Sequence, residues 1–187
     1  MVEQIVDTIQ KLMCTKQGVI VAIDGRCGAG KTTLATALQQ RFDCTLVHMD
    51  DFFLPPEKRT PERLSQPGEN VDHERFLSQV LKPLKQGKDF AFCPFDCSKL
   101  DYGDPIVIHP GALTIVEGSY SCRPGLWEYY DLRIFVDVDP EEQMRRIVKR
   151  NPLSEQSFRT RWIPLKEAYF KAFDIRQKCD IIIKEAT

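Results

Sequence analysis

Gly25-Arg26-Cys27-Gly28-Ala29-Gly30-Lys31-Thr32, followed by Thr33, is the stretch that decides how this chain folds. Its fixed positions follow the spacing G-x-x-x-x-G-K-[ST] of a phosphate-cradling P-loop. The glycines let backbone N–H groups turn inward around an anion where a β-carbon would obstruct. Lys31 is placed to reach β- and γ-phosphates and the Thr32 hydroxyl to ligate Mg²⁺. With glycine at ~7% of residues, a chance match in a chain of this length arises roughly once in 150. The surroundings also fit the mechanism. Val19-Ile20-Val21-Ala22-Ile23 just before it is an unbroken apolar run, as in a strand buried on both faces of a parallel sheet. The helix expected after it carries Leu34, Leu38 and Phe42 on one side and turns its positive end to the bound anion.

Further along the chain, strands and helices are expected to alternate. A leading helix within residues 1–17 presents Val2, Ile5, Val6, Ile9, Leu12 and Met13 at helical spacing. Thr45-Leu46-Val47, Leu113–Val116, Leu132–Val138 and Cys179–Ile183 read as strands, and Phe90–Phe95 with Pro105–His109 as a strand pair beside the main sheet. Residues 52–71 read as an irregular loop with four prolines, long enough to suggest a functional segment. Asp139-Pro140-Glu141-Glu142 reads as N-cap, first-turn proline and capping-box glutamate. A last helix is expected to bury Phe158, Trp162, Leu165, Tyr169 and Phe173 on one face, with Pro164 kinking or dividing it. The pattern predicts an α/β P-loop three-layer sandwich around a mostly parallel sheet.

The 187 residues, 42% of them hydrophobic, suit one domain over 1–187. The net charge of −1, from 26 basic and 27 acidic side chains, argues against a nucleic-acid or membrane-surface partner. The seven irregularly spaced cysteines do not form a disulfide pattern, and Cys93 and Cys97 lack the second pair or His of a zinc site. The first residues include Glu3 and Asp7 and no apolar core, unlike a signal peptide, and no window is long enough to span a membrane. A cytoplasmic location is expected.

A guanine-reading N-K-x-D stretch is missing; the nearest match is Ser98-Lys99-Leu100-Asp101. The Leu113–Val116 strand ends in a single acid, Glu117, followed by Gly118, which suits a carboxylate facing a Mg²⁺ water shell. Met49-Asp50-Asp51-Phe52-Phe53 resembles the D-x-F-[YF] element of the uridine kinase and phosphoribulokinase family of P-loop kinases. Asn70-Val71-Asp72-His73, Pro94-Phe95-Asp96, Ile115-Val116-Glu117-Gly118 and Asp131–Asp137 are similar to later elements of that family, in order. Arg145-Arg146-Ile147 with Lys149-Arg150 resembles its R-R-[IV]-x-R lid, within a lid region at 140–160. The chain departs from the pattern at Leu100, near the usual His, at Cys97 in place of an aromatic, and at Glu74 in place of Pro.

The resemblance implies an ATP- and Mg²⁺-dependent kinase acting on a hydroxyl of a small molecule, a pyrimidine ribonucleoside such as uridine or cytidine in the first instance. Lys31, Asp50, Arg146 and Arg150 are the expected catalytic residues. Asp50, Asp72, Phe95, Asp96 and Arg145 are expected on the acceptor, and Thr32, Glu117 (through water) and Asp50 on the metal. Asp72 is equally suited to capping the helix that follows it. The basic residues of 145–150 also read as a solvated helix face. Lys58, Arg59 and Arg63 are candidates to hold a substrate anion or simply solubilise their loop. His48, His73 and the two tryptophans read as structural. Two other functions remain open: the same chemistry on a sugar, sugar phosphate or pantothenate-like molecule, and a nucleotide-binding regulator with no acceptor.

Overall fold

The computed structural model describes residues 2–184, so Met1 and residues 185–187 of the expected single domain lie outside the described residues. Helix α1 (Val2–Thr15) buries Ile5, Val6 and Ile9 and stops before Gly18, which turns the chain at φ 66°. Strand β1 (Val19–Gly25) is buried at every position. Then come α2 (Lys31–Phe42), β2 (Thr45–His48) and a 3-10 turn over Met49–Phe52. The expected irregular loop holds two short turns of its own, a 3-10 turn at Pro56–Lys58 and α3 (Pro61–Leu64). Its ends are joined by the Phe53–Val71 bridge and by Asp72 N–H donating to the Phe52 carbonyl at 2.7 Å.

A helical segment follows as α4 (His73–Phe76), a π turn (Leu77–Leu81) and α5 (Lys82–Lys85). Beside the main sheet, β3 (Phe90–Phe92) pairs with β6 (Ile106–Ile108) and β4 (Phe95–Asp96) with β5 (Asp101–Tyr102), all antiparallel. The expected Phe90–Phe95 strand is therefore split, its end pairing into a second, smaller ribbon. Strands β7 (Leu113–Glu117) and β8 (Leu132–Asp137) return to the core. Helix α6 (Pro140–Arg150) starts on the Asp139 carboxylate, which accepts from Glu141 N–H at 2.9 Å. A short α7 (Glu155–Ser157), a π turn (Phe158–Trp162), α8 (Ile163–Phe173), α9 (Ile175–Lys178) and β9 (Ile181–Lys184) complete the described chain.

The five-stranded sheet has the order β2-β7-β1-β8-β9, and every pairing in it is parallel. The period of two along β1 produces the layers. Val19, Val21 and Ile23 face α1 and α2 through Ile5, Ile9, Leu34 and Leu38. Ile20 and Ala22 face the opposite layer, with Phe76, Val80, Tyr169 and Phe170. The three-layer α/β expectation holds. Because β2 and β7 lie to one side of β1 and β8 and β9 to the other, the chain reverses direction of winding at the C-terminal end of β1, where ligand crevices form in such sheets.

Each π turn ends two residues before a proline, Pro83 in one case and Pro164 in the other. Proline offers no N–H and its ring crowds the carbonyl four residues back. A single wider turn, closed by Lys82 N–H to Leu77 O and by Ile163 N–H to Phe158 O, relieves that conflict. Pro164 thus does not break its helix. It shifts the phase of the residues before it instead: Phe158 leaves the core face, Trp162 lines the cleft at the head of α8, and Tyr169 and Phe170 are buried. Among the described residues no helix is long and apolar enough to cross a membrane, and all seven cysteines are free thiols.

Candidate active site

The P-loop is pressed against β8. A Cβ on Gly25, at φ 138°, would stand 2.0 Å from the Val136 carbonyl oxygen, and that carbonyl accepts from Arg26 N–H at 3.1 Å. Gly25→Ala combines a conformation that L side chains rarely adopt with a backbone collision, each costing about 1–3 kcal/mol. Its melting temperature should therefore fall by at least ~5 °C, with weaker anion binding by the loop. Unchanged melting and affinity would mean the loop can move away from β8.

Gly30, at φ 95°, occupies the N-cap of α2 without a side-chain cap, so the first-turn N–H groups of that helix are left for an anion. Lys31 Nζ donates to the carbonyls of Gly25 and Arg26, both at 3.0 Å, and is half-buried. Burial, then the nearby Lys166, pulls its pKa below the ordinary lysine value. Ala29 is fully buried, while Cys27, Gly28, Gly30, Thr32 and Thr33 line the cleft. Arg26 contributes its backbone only: its guanidinium turns away to Glu167 (2.8 and 3.0 Å) and Asp137 (3.1 Å), tying α8 to the loop.

One buried acid escaped the sequence reading. Asp24 accepts from Gly25 N–H (2.7 Å), Cys122 N–H (2.9 Å) and the Tyr169 hydroxyl (2.9 Å), and so locks the start of the P-loop to two other segments. Burial raises its pKa; the two backbone donors and Lys31 oppose that. The available signal was an acid sitting between a fully apolar strand and a glycine.

Beside the loop, the ends of α2, β7 and β2 converge. Glu117 Oε1 accepts from the Thr32 hydroxyl at 3.2 Å and lies 2.7 Å from His48 Nδ1. Glu117 raises the His48 pKa through that contact. A Cβ on Gly118 would lie 2.9 Å from Met49 Cβ and 3.5 Å from Asp50 Oδ1, so this glycine lets the Glu117 strand end come up against the Asp50 turn. Asp50 is exposed in the cleft; Asp51 is half-buried and does not line it. The turn is anchored by Arg75, which donates to the Asp51 carbonyl at 2.8 Å and stacks 4.3 Å from the Phe52 ring centroid. Thr32, Glu117 and Asp50 form a hard-oxygen set with two carboxylates, the donor type Mg²⁺ takes alongside water and phosphate.

The cleft holds about 700 Å³ and is closed on its far side by α6 and the π turn before α8. Arg146 donates to the Gly28 carbonyl at 3.2 Å and to Glu142 at 2.5 Å; Arg150 also lines the cleft. Arg145 does not. It is exposed, paired with Glu142 at 2.6 Å, and sits on a separate surface hollow with Met144 and Arg159. From the other side Phe158, Arg161, Trp162 and Lys166 enter, with Lys166 Nζ 2.9 Å from Cys27 Sγ. None of these four was legible as a cleft residue, and Trp162 was expected in the core.

The remaining wall is made by Phe53, Leu54, Arg59, Leu64, Asn70, Cys97 and Tyr120. Tyr120 adopts φ 75°, a strained value for a non-glycine residue, and its hydroxyl accepts from Asn70 Nδ2 at 3.2 Å. Of the expected acceptor residues, Asp72, Phe95 and Asp96 do not line the cleft. Asp72 is fully buried, accepts from Arg75 N–H at 3.1 Å as a helix cap, and pairs with Lys58 at 2.7 Å. Phe95 is buried with the Arg59 guanidinium 5.7 Å from its ring centre, and Asp96 turns to Ser98. Arg63 is committed to Glu69 and Glu74, in a cluster with His73 and Arg123.

No family model matches the chain. Uridine-cytidine kinase B of Dictyostelium discoideum is 27% identical over 153 residues, covering 73% of this chain and 60% of that protein. Nicotinamide riboside kinase 2 of Mus musculus is 31% identical over 138 residues, covering 68% of this chain and 66% of that protein. The matched region is thus less than two thirds of the length of these curated relatives. A solved structure of a possible uridine kinase from Bacillus stearothermophilus superposes with a TM-score of 0.67 at 19% identity, over 96% of this chain and 99% of that one.

Proposed function

We propose that this chain, a P-loop protein of the uridine kinase-like family, transfers the γ-phosphate of ATP to a hydroxyl of a small molecule in a Mg²⁺-dependent reaction. One observation carries the reading. A single cleft is lined by Lys31 and Thr32 of the P-loop, the Glu117 and Asp50 carboxylates, and the α6 arginines 146 and 150. Phosphoryl transfer calls for those parts: a cradle for the phosphates, cations to neutralise charge, and a base for the acceptor proton. Backbone N–H groups of Gly28–Thr32 and the Lys31 ammonium hold the β- and γ-phosphates. Thr32, with Glu117 and Asp50, would hold Mg²⁺, which when bound supplies charge neutralisation between the phosphates. Asp50 accepts the proton of the attacking hydroxyl. Arg146 and Arg150 balance charge on the transferring group from the α6 side.

Among acceptors, a pyrimidine ribonucleoside is the reading favoured by the names of the relatives. The test is ADP release with ATP and Mg²⁺ across a panel of nucleosides, sugars, sugar phosphates and hydroxy acids. Release stimulated by an acceptor and abolished by a chelator supports a kinase. ADP release indifferent to every acceptor would favour a nucleotide-binding regulator.

A further inference from the structure

Six cationic side chains line the cleft, Lys31, Arg59, Arg146, Arg150, Arg161 and Lys166, together with the two carboxylates of Asp50 and Glu117. Geometry identifies which one stands with the acceptor. Lys166 touches Cys27 of the P-loop, Arg161 lies 4.5 Å from the Trp162 ring centre on the lid side, and Arg150 belongs to α6. Arg59 alone of the six belongs to the segment that carries Phe53 and Leu54 along the remaining wall.

Arg59 is also the one member of its loop's basic trio left for a ligand. Lys58 pairs with buried Asp72, and Arg63 with Glu69 and Glu74. Among the described residues Arg59 forms no ion pair. Its Nε donates to the Leu54 carbonyl at 2.7 Å and its guanidinium lies over buried Phe95, so the side chain is held in place with its terminal amino groups unspent on carboxylates. A fixed guanidinium suits two-point recognition of a carboxylate or phosphate. Meanwhile Asp72, expected on the acceptor, is fully buried and does not line the cleft.

We infer that the phosphate acceptor is a hydroxylated anion, carrying a carboxylate or phosphate group, and that Arg59 is the residue that selects it. This rests on the kinase reading and departs from the neutral nucleoside that the relatives' names favour. The experiment compares glycerate with glycerol, ribose 5-phosphate with ribose, and uridine as a neutral reference, each by kcat/KM for ADP formation. The expected result is an anionic member preferred over its neutral counterpart by about 10-fold or more, the size of a hydrogen bond to a charged group. Which pair shows the preference separates carboxylate from phosphate. Arg59→Gln should collapse the preference through acceptor KM, and Arg59→Lys should restore part of it. If ribose, glycerol or uridine is used as well as the anions, the inference is overturned while the kinase reading stands. If no member is phosphorylated although ATP binds, both fall.

Discussion

Replacing Lys31 with alanine should lower phosphoryl transfer by at least about 10²–10³-fold, the usual cost of removing one preorganised electrostatic contact in a closed site. The ammonium rests 3.0 Å from the carbonyls of Gly25 and Arg26, inside the loop's own curve, and its side chain lines the cleft. A cation held there needs no rearrangement to meet a bridging phosphate oxygen. The assay is ADP release at saturating ATP and acceptor, with near-ultraviolet circular dichroism to establish that the variant is folded. A folded Lys31→Ala protein with near wild-type turnover would remove the P-loop from the mechanism.

Asp50→Asn should reduce kcat by at least ~10²-fold, the lower end for a general base, whereas Asp51→Asn should cost much less. The two acids are neighbours in sequence but not in environment. Asp50 is exposed in the cleft with Gly118 packed close to its Oδ1 position, whereas Asp51 is half-buried outside it and its pKa is raised by burial. Measuring kcat for both variants with one acceptor decides the matter. Were Asp51→Asn the more damaging change, the acceptor proton would have to leave by another route.

What the sequence made legible was whatever is set by short-range spacing. The P-loop, the buried strands and the Asp139 cap are local patterns, and each forms where the residues place it. Asp72 shows the limit. A carboxylate before a helix satisfies both a capping and a ligand-binding reading, and the choice depends on Lys58, fourteen residues away, folding back to pair with it. The cleft wall of Arg59, Cys97, Tyr120 and the Arg161–Lys166 stretch comes from four separate segments, so no spacing rule links them. Phe158 was misplaced for a different reason, because helical periodicity was carried straight through a turn that contains an extra residue, whereas Trp162 keeps the phase of Tyr169 and meets the cleft at the end of α8.

That extra residue amounts to an angular offset. One additional residue in a turn rotates everything on one side of it by about 100° relative to an ideal helix. Aromatic residues on its two sides are thereby divided between two surroundings: Tyr169 and Phe170 go to the protein interior, Phe158 to the water and solute of the cleft. The proline that enforces the offset is thus a switch of address written into the chain, converting would-be packing residues into lining. Shortening Phe158–Trp162 by one residue would leave composition almost unchanged, yet it would turn Phe158 by about 100° from its present place in the cleft.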